Sequence, residues 1–246
     1  MKLAVIGGSG LESLAGLEIK ERKQVQTEYG APSAPLSIGN YRRYPLIFLA
    51  RHGDHHLIPP HQINYRANIR ALKSLGVTHI LAVAAVGGIR AHLPPAKIVV
   101  PDQLIDYTYG RKATFYEGPG SVVTHIDFTW PYSRELIARI DQAAVRAGLN
   151  LAIGGTYGCT QGPRLESAAE ILRLERDGCD IVGMTSMPEA ALAREDGIEY
   201  ACCAVVANWA AGKSGAEITM QEIEANLVKG IGDIERLLDE LVGMML

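Results

Sequence analysis

The chain has 246 residues, 48% of them apolar, and a formal net charge of −3. That length suits one large α/β domain with a sizeable core. No block of like charge supplies the basic face a nucleic-acid partner needs, and no apolar run reaches the roughly 18 residues of a membrane span.

The predicted elements follow in chain order. KLAVIG (residues 2–7) is a continuous apolar run closed by glycine, the pattern of a buried parallel strand. The stretch after it, EIKERKQVQTEYG, is polar and basic and carries no predicted strand. YPLIFLARHG (44–53) is a second strand ending in charged residues. NYRANIRALKSLG (64–76) is a helix: Tyr65, Ile69, Leu72 and Leu75 share a face, and Gly76 stops it. THILAVAAVGGI (78–89) is a strand running into a double glycine, and AKIVVPDQLIDY (96–107) a strand with an irregular end. Residues 133–149 form an amphipathic helix capped by Ser133. LAIGGTYGCTQGPRLES (151–167) is a glycine-broken strand and loop, followed by a helix over 167–178 and a strand end at CDIVGM. A short helix spans 187–197, and IEYACCAVVANWAAG (198–212) is a long central strand ending in a polar loop. The closing helix covers 219–246, capped by Thr219 with Glu222 three residues on. Strands alternate with helices, and the strands are apolar on both faces. That predicts one α/β domain over residues 1–246 around a mostly parallel or mixed sheet. The first apolar stretch runs into glycines without a basic leader, so a cytoplasmic protein is expected.

The first glycine loop reads Gly7-Gly8-Ser9-Gly10-Leu11-Glu12-Ser13. The dinucleotide fingerprint fails here, because Ser13 stands at the third glycine and no strand-end acid follows at the right distance. The phosphate loop ending in Gly-Lys-Ser/Thr is also absent. What remains is a glycine nest with one hydroxyl, suited to a small oxyanion such as inorganic phosphate or serving only as a connecting turn. Other strand ends add to it, since ligands of parallel sheets collect at one edge. Arg51 and His52 follow the second strand, Ala84 and Ala85 sit in a backbone nest, and Thr185 brings a second hydroxyl. Each has a plainer alternative: Arg51 as a surface ion pair, Thr185 as a helix cap. His52, His55, His56 and His61 lack the helical pairing of a metal site, so no metal is expected. The four cysteines form no C-x-x-C pair and read as buried free thiols.

IGGSGL, LARHG, NYRANIRALKSLG, AVAAVGGI, QGPRLES, DIVGMTSMPEAALARE and VVANWAAGK resemble, in order and over nearly the whole chain, the trimeric purine nucleoside phosphorylases. The likeness is strongest to the methylthioadenosine branch and its bacterial methylthioinosine-cleaving relatives. The resemblance implies a central mixed sheet forming a distorted barrel flanked by helices, and a homotrimer with sites near subunit interfaces. It implies phosphorolysis of a purine nucleoside without a cofactor, inorganic phosphate being the co-substrate. By position it assigns phosphate binding to Ser9 (where the methylthioadenosine branch often has Thr), Arg51, His52, Ala84, Ala85 and Thr185. It places His56 near phosphate or ribose, Met184 under the sugar, and His125 in the neighbouring subunit's site.

Departures from the adenine-type pattern set the expected substrate. Asn208 and Ala210 stand where 6-aminopurine enzymes carry an Asp-x-Asp arrangement, and Glu166 stands where they have Ser. Asn offers a donor to a 6-oxo group, and a carboxylate accepts the N1–H that adenine lacks. Asn208 and Glu166 are therefore the expected catalytic pair, with Asn208 stabilising the departing base. Met220, with Ile223 one turn on, replaces the His that grips a 5′-hydroxyl in inosine-cleaving relatives, and makes an apolar seat for a methylthio group. The expectation is a 5′-methylthio-6-oxopurine nucleoside as substrate. Cleavage of methylthioadenosine or of inosine and guanosine are the alternatives within the family. A dinucleotide-dependent oxidoreductase and a non-catalytic nucleoside-binding protein are the alternatives outside it.

Overall fold

In the computed structural model, which describes residues 1–244, all eleven strands belong to one sheet. The order β2-β3-β4-β1-β5-β10-β9-β7 runs across it, and β11, β6 and β8 branch from β5. The centre is β1 (Leu3–Gly7), β4 (Tyr44–Ala50), β5 (His79–Gly88) and β11 (Glu199–Trp209), joined by parallel pairing. Their nearly unbroken burial explains their apolar sequences: helices and the rest of the barrel cover both faces.

Barrel closure comes from β5. Its first part lies between β1 and β11, while its glycine end pairs antiparallel with β10 (Ile181–Gly183). From β11 the sheet continues through β6 (Ile98–Val100) to β8 (Ala152–Ile153). Gly154 and Gly155 then lead the chain into β9 (Thr156–Cys159), which pairs with β10 and with β7 (Gln103–Asp106) and completes the ring.

The helices match the sequence pattern closely. α1 (Tyr65–Ser74) is capped by Asn64, α2 (Arg134–Arg146) by Ser133 and α3 (Ala168–Arg176) by a capping box of Ser167 and Glu170. α4 spans Ser186–Glu195, and α5 spans Met220–Gly243 with Thr219 as cap. The last two residues of the predicted closing helix lie outside the described residues.

Three corrections concern strands. β2 (Leu17–Lys23) and β3 (Leu36–Tyr41) form an antiparallel hairpin that the sequence pattern does not announce. β2 is the sheet's edge and is exposed along nearly its whole length, so LEIKERK lacks the apolar face that marks a strand. The predicted strand over 96–107 is two strands, broken at Pro101, which donates no ladder hydrogen bond. The stretch 151–167 likewise divides into β8 and β9 at Gly154 and Gly155, both at positive φ. All four cysteines are free and buried, and burial raises their thiols, Cys159 and Cys202 to about 12. No helix among the described residues is long and apolar enough to cross a membrane.

Candidate active site

The carboxyl ends of β1, β4, β5, β10 and β11 open into one cavity of 1120 Å³, roofed by α5. Ser9, Arg51, His52, Ala84, Ala85 and Thr185 all line it. So do His56, Glu166, Met184, Asn208, Ala210, Met220 and Ile223. His125 does not: it sits on an exposed irregular segment of its own chain.

At the deep end, the glycine nest is dictated by crowding. A Cβ on Gly8 would stand 2.6 Å from the Val83 carbonyl oxygen and 2.8 Å from Arg51 Nη1, so only glycine lets the loop cross over the arginine. Arg51 is 1% exposed, which rules out the surface ion pair. Its partner is buried Glu189 of α4, which takes Nε at 2.7 Å and Nη2 at 2.8 Å. Nη1 donates to the Val83 carbonyl at 2.8 Å, and the Tyr200 hydroxyl donates to Glu189 at 2.9 Å. Three of the five guanidinium N–H donors are thus committed, leaving two for a ligand. Burial alone would lower the Arg51 pKa, but the Glu189 charge and hydrogen bonds outweigh it and hold the guanidinium firmly protonated.

His52 is the second buried group. Its Nδ1 lies 2.8 Å from the Ile58 carbonyl. Burial, followed by the Arg51 charge, pushes its pKa down to about 4, so the ring is neutral at pH 7. Beside an arginine at a strand end His52 reads in the sequence as an added donor; with Nδ1–H spent on a carbonyl, the neutral ring instead offers only an acceptor. The imidazole of His56 stacks on it at 4.3 Å between centroids. His56 Nε2 is 3.3 Å from the Ser9 hydroxyl, and its Nδ1 is 3.5 Å from Glu12. Thr185 stands at the N-cap position of α4, but its hydroxyl makes no cap hydrogen bond, which answers the plainer alternative for that residue. Arg51 is matched by Glu189 and His52 is neutral, so this end holds N–H and O–H donors without a large net positive charge.

Further along, polar side chains from two different segments line the cavity. β11 carries an extra residue between Val206 and Asn208 relative to β5. Such bulges re-aim side chains beside active sites. Here the Asn226 amide of α5 donates to the freed Ala207 carbonyl at 2.9 Å. Asn208 is buried, with one amide hydrogen on the Trp209 carbonyl at 2.7 Å; its carbonyl oxygen and second N–H remain for a ligand. Glu166 accepts from the Thr160 hydroxyl at 2.5 Å through one carboxylate oxygen, leaving the other unused. Met220 and Ile223 stand at the outer end, and Met220 is 66% exposed.

Sequence inspection passed over Glu189, Tyr200 and Arg111. Arg111, in the loop after β7, donates to the carbonyls of Met184 at 2.8 Å, Met187 at 2.5 Å and Gln161 at 2.8 Å. It ties the loop carrying Glu166 to the strand end carrying Met184. Nothing near Arg111 in the sequence marks it, whereas an acid on the first turn of a helix after a strand end was a usable signal for Glu189. Among the described residues, no cluster of three or more His, Cys, Asp or Glu is placed to hold a metal ion.

Comparison with known proteins follows the same lines. A chain from Xanthomonas campestris pv. campestris named probable S-methyl-5′-thioinosine phosphorylase is 53% identical over 240 residues, covering 97% of this chain and 96% of that one. The 6-oxopurine nucleoside phosphorylase of Pyrococcus furiosus is 44% identical over 242 residues, covering 96% and 90% respectively. Among solved structures, methylthioadenosine phosphorylase from Schistosoma mansoni in complex with adenine superposes with a TM-score of 0.95 at 34% identity, over 100% of this chain and 92% of that one. The phosphorylase superfamily pattern matches residues 2–243, and the chain belongs to that family.

Proposed function

We propose that this enzyme cleaves S-methyl-5′-thioinosine with inorganic phosphate, giving hypoxanthine and 5-methylthioribose 1-phosphate in nucleoside salvage. The carrying observation is that Asn208 and Glu166 line one cavity, both with free hydrogen-bonding capacity. A 6-oxopurine brings an O6 acceptor and an N1–H donor to that pair; adenine brings the opposite polarity at both positions. A buried mismatch costs about 1–3 kcal/mol each. Relatives at 52–55% identity with the same substrate in their names support the reading.

No covalent nucleophile is required. Ser9, Thr185, the backbone at Ala84 and Ala85, and the two free Arg51 donors place phosphate against the anomeric carbon. As the C–N bond breaks, Asn208 stabilises charge on the departing purine while Glu166 holds N1–H. Placement and electrostatic stabilisation then supply the rate. Phosphate is the co-substrate and no cofactor enters the chemistry. The whole chain acts as one domain in the cytoplasm.

The assembly is a homotrimer in this reading. His125 is exposed in its own chain and absent from the cavity, and Val122 and Val123 beside it are 78% and 76% exposed. A neighbouring subunit's His125 segment would cover Met220 and close the 5′ end. The test is phosphate-dependent release of free base from 5′-methylthioinosine, 5′-methylthioadenosine and inosine, measured side by side. Preference for methylthioinosine is expected. Preference for methylthioadenosine would overturn the roles of Asn208 and Glu166, and preference for inosine that of Met220.

A further inference from the structure

The two ring nitrogens of His52 have different surroundings. Nδ1 faces the Ile58 carbonyl oxygen at 2.8 Å, and a carbonyl only accepts, so Nδ1 carries the proton. Nε2 makes no hydrogen bond among the described residues, although the ring lines the cavity. A neutral imidazole protonated at Nδ1 presents a lone pair at Nε2.

The charged and titratable groups around the ring leave that lone pair alone. Arg51 is committed to Glu189 on α4. His56 stacks on the ring face and uses its own Nε2 on Ser9, with Glu12 at its Nδ1. From α5, Glu224 and Glu235 line the same cavity and are acceptors when ionised. None of these gives His52 Nε2 a proton.

We infer that His52 makes the anion site selective for a tetrahedral oxyanion that carries a proton: the ligand's own O–H donates to Nε2. A fully deprotonated anion of the same shape would set lone pair against lone pair. The inference rests on the reading of this site as the phosphate site and adds what the site discriminates against. Near neutral pH phosphate keeps a proton and sulfate has none. Sulfate can enter only with a proton taken from the medium onto His52. Selectivity of this kind, built on one obligatory hydrogen bond, is stronger than size selection. It also turns the P–OH towards the protein and leaves unprotonated oxygens for the anomeric carbon.

The test is calorimetric titration of the whole protein with inorganic phosphate and with sulfate, at constant ionic strength from about pH 6 to about pH 8.5. Two buffers of different ionisation enthalpy report proton uptake. At the alkaline end phosphate is expected to bind at least about tenfold tighter than sulfate, the loss associated with one unmatched buried polar group. Sulfate affinity should rise about tenfold for each pH unit lowered, with one proton taken up per anion bound; phosphate should take up none at the alkaline end. His52→Gln supplies an amide donor and should bring the two anions to within about threefold. If that variant does not fold, the wild-type pH series decides. Equal binding of both anions without proton uptake by sulfate overturns the inference while leaving the phosphate site intact. Failure to bind phosphate, together with base release that is independent of phosphate, overturns the functional reading and this inference with it.

Discussion

The two ends of the cavity are built differently. At the deep end Arg51, Glu189, Tyr200 and the Val83 carbonyl form a buried network at the ends of central strands, with two Arg51 N–H groups left over. At the outer end Met220 is mostly exposed on α5 and His125 is elsewhere on the surface. In the proposed reading the handling of phosphate, common to every substrate, belongs to the core of one chain, and choice at the 5′ position to a wall that the neighbouring subunit completes. Between them lie Asn208 and Glu166, each with one hydrogen-bonding group anchored and another free.

That contrast is most directly broken at the deep end. Glu189→Gln removes the countercharge from a buried arginine and should cost about 3–5 kcal/mol of folding stability, read by urea unfolding, along with activity. A loss below about 1 kcal/mol would mean the Arg51 charge is balanced by something other than Glu189. In the middle, Asn208→Asp loses the amide hydrogen bond to the Trp209 carbonyl and should cost about 1–3 kcal/mol of stability, less than Glu189→Gln, while shifting preference from hypoxanthine towards adenine nucleosides by at least about tenfold, read as a ratio of kcat/KM values. An unmoved ratio would remove Asn208 from base recognition. At the outer end, Met220→His should lower the preference for a 5′-methylthio over a 5′-hydroxyl group by about fourfold, the worth of one methylene-sized apolar contact at about 0.8 kcal/mol. An effect there as large as at Asn208 would show that the outer wall is as well formed as the middle.

The sequence makes the location of the cavity readable for a physical reason. In a parallel sheet the loops after successive strands share an edge, so chemistry-bearing residues at strand ends converge. Ser9, Arg51, His52, Thr185 and Asn208 could all be named that way. Glu189 offered only the weaker signal of an acid on the first turn of MPEAALARE, and nothing in the sequence pairs it with an arginine 138 residues away. The neutral state of His52 was equally hidden, since it depends on burial and on a carbonyl six residues on. β2 escaped because an exposed edge strand has no buried face to leave its mark on the sequence, and β3, though mostly buried, is a short LSIGNY run interrupted by Ser37, Gly39 and Asn40. Fold class was legible in the alternation of apolar strands and amphipathic helices. Barrel closure was not, because nothing local in THILAVAAVGGI says that one strand has three partners.

The three partnerships of β5 have a consequence for the newborn protein. β11 begins at residue 199, about 120 positions after the strand it pairs with along nearly its whole length. A ribosome adding about 5–20 residues per second leaves the apolar edge of β5 uncovered for several seconds after that strand has emerged. During that interval the edge can recruit any extended chain nearby. The demand on chaperones should therefore peak late in translation, and a truncation before β11 should aggregate rather than form a smaller soluble domain.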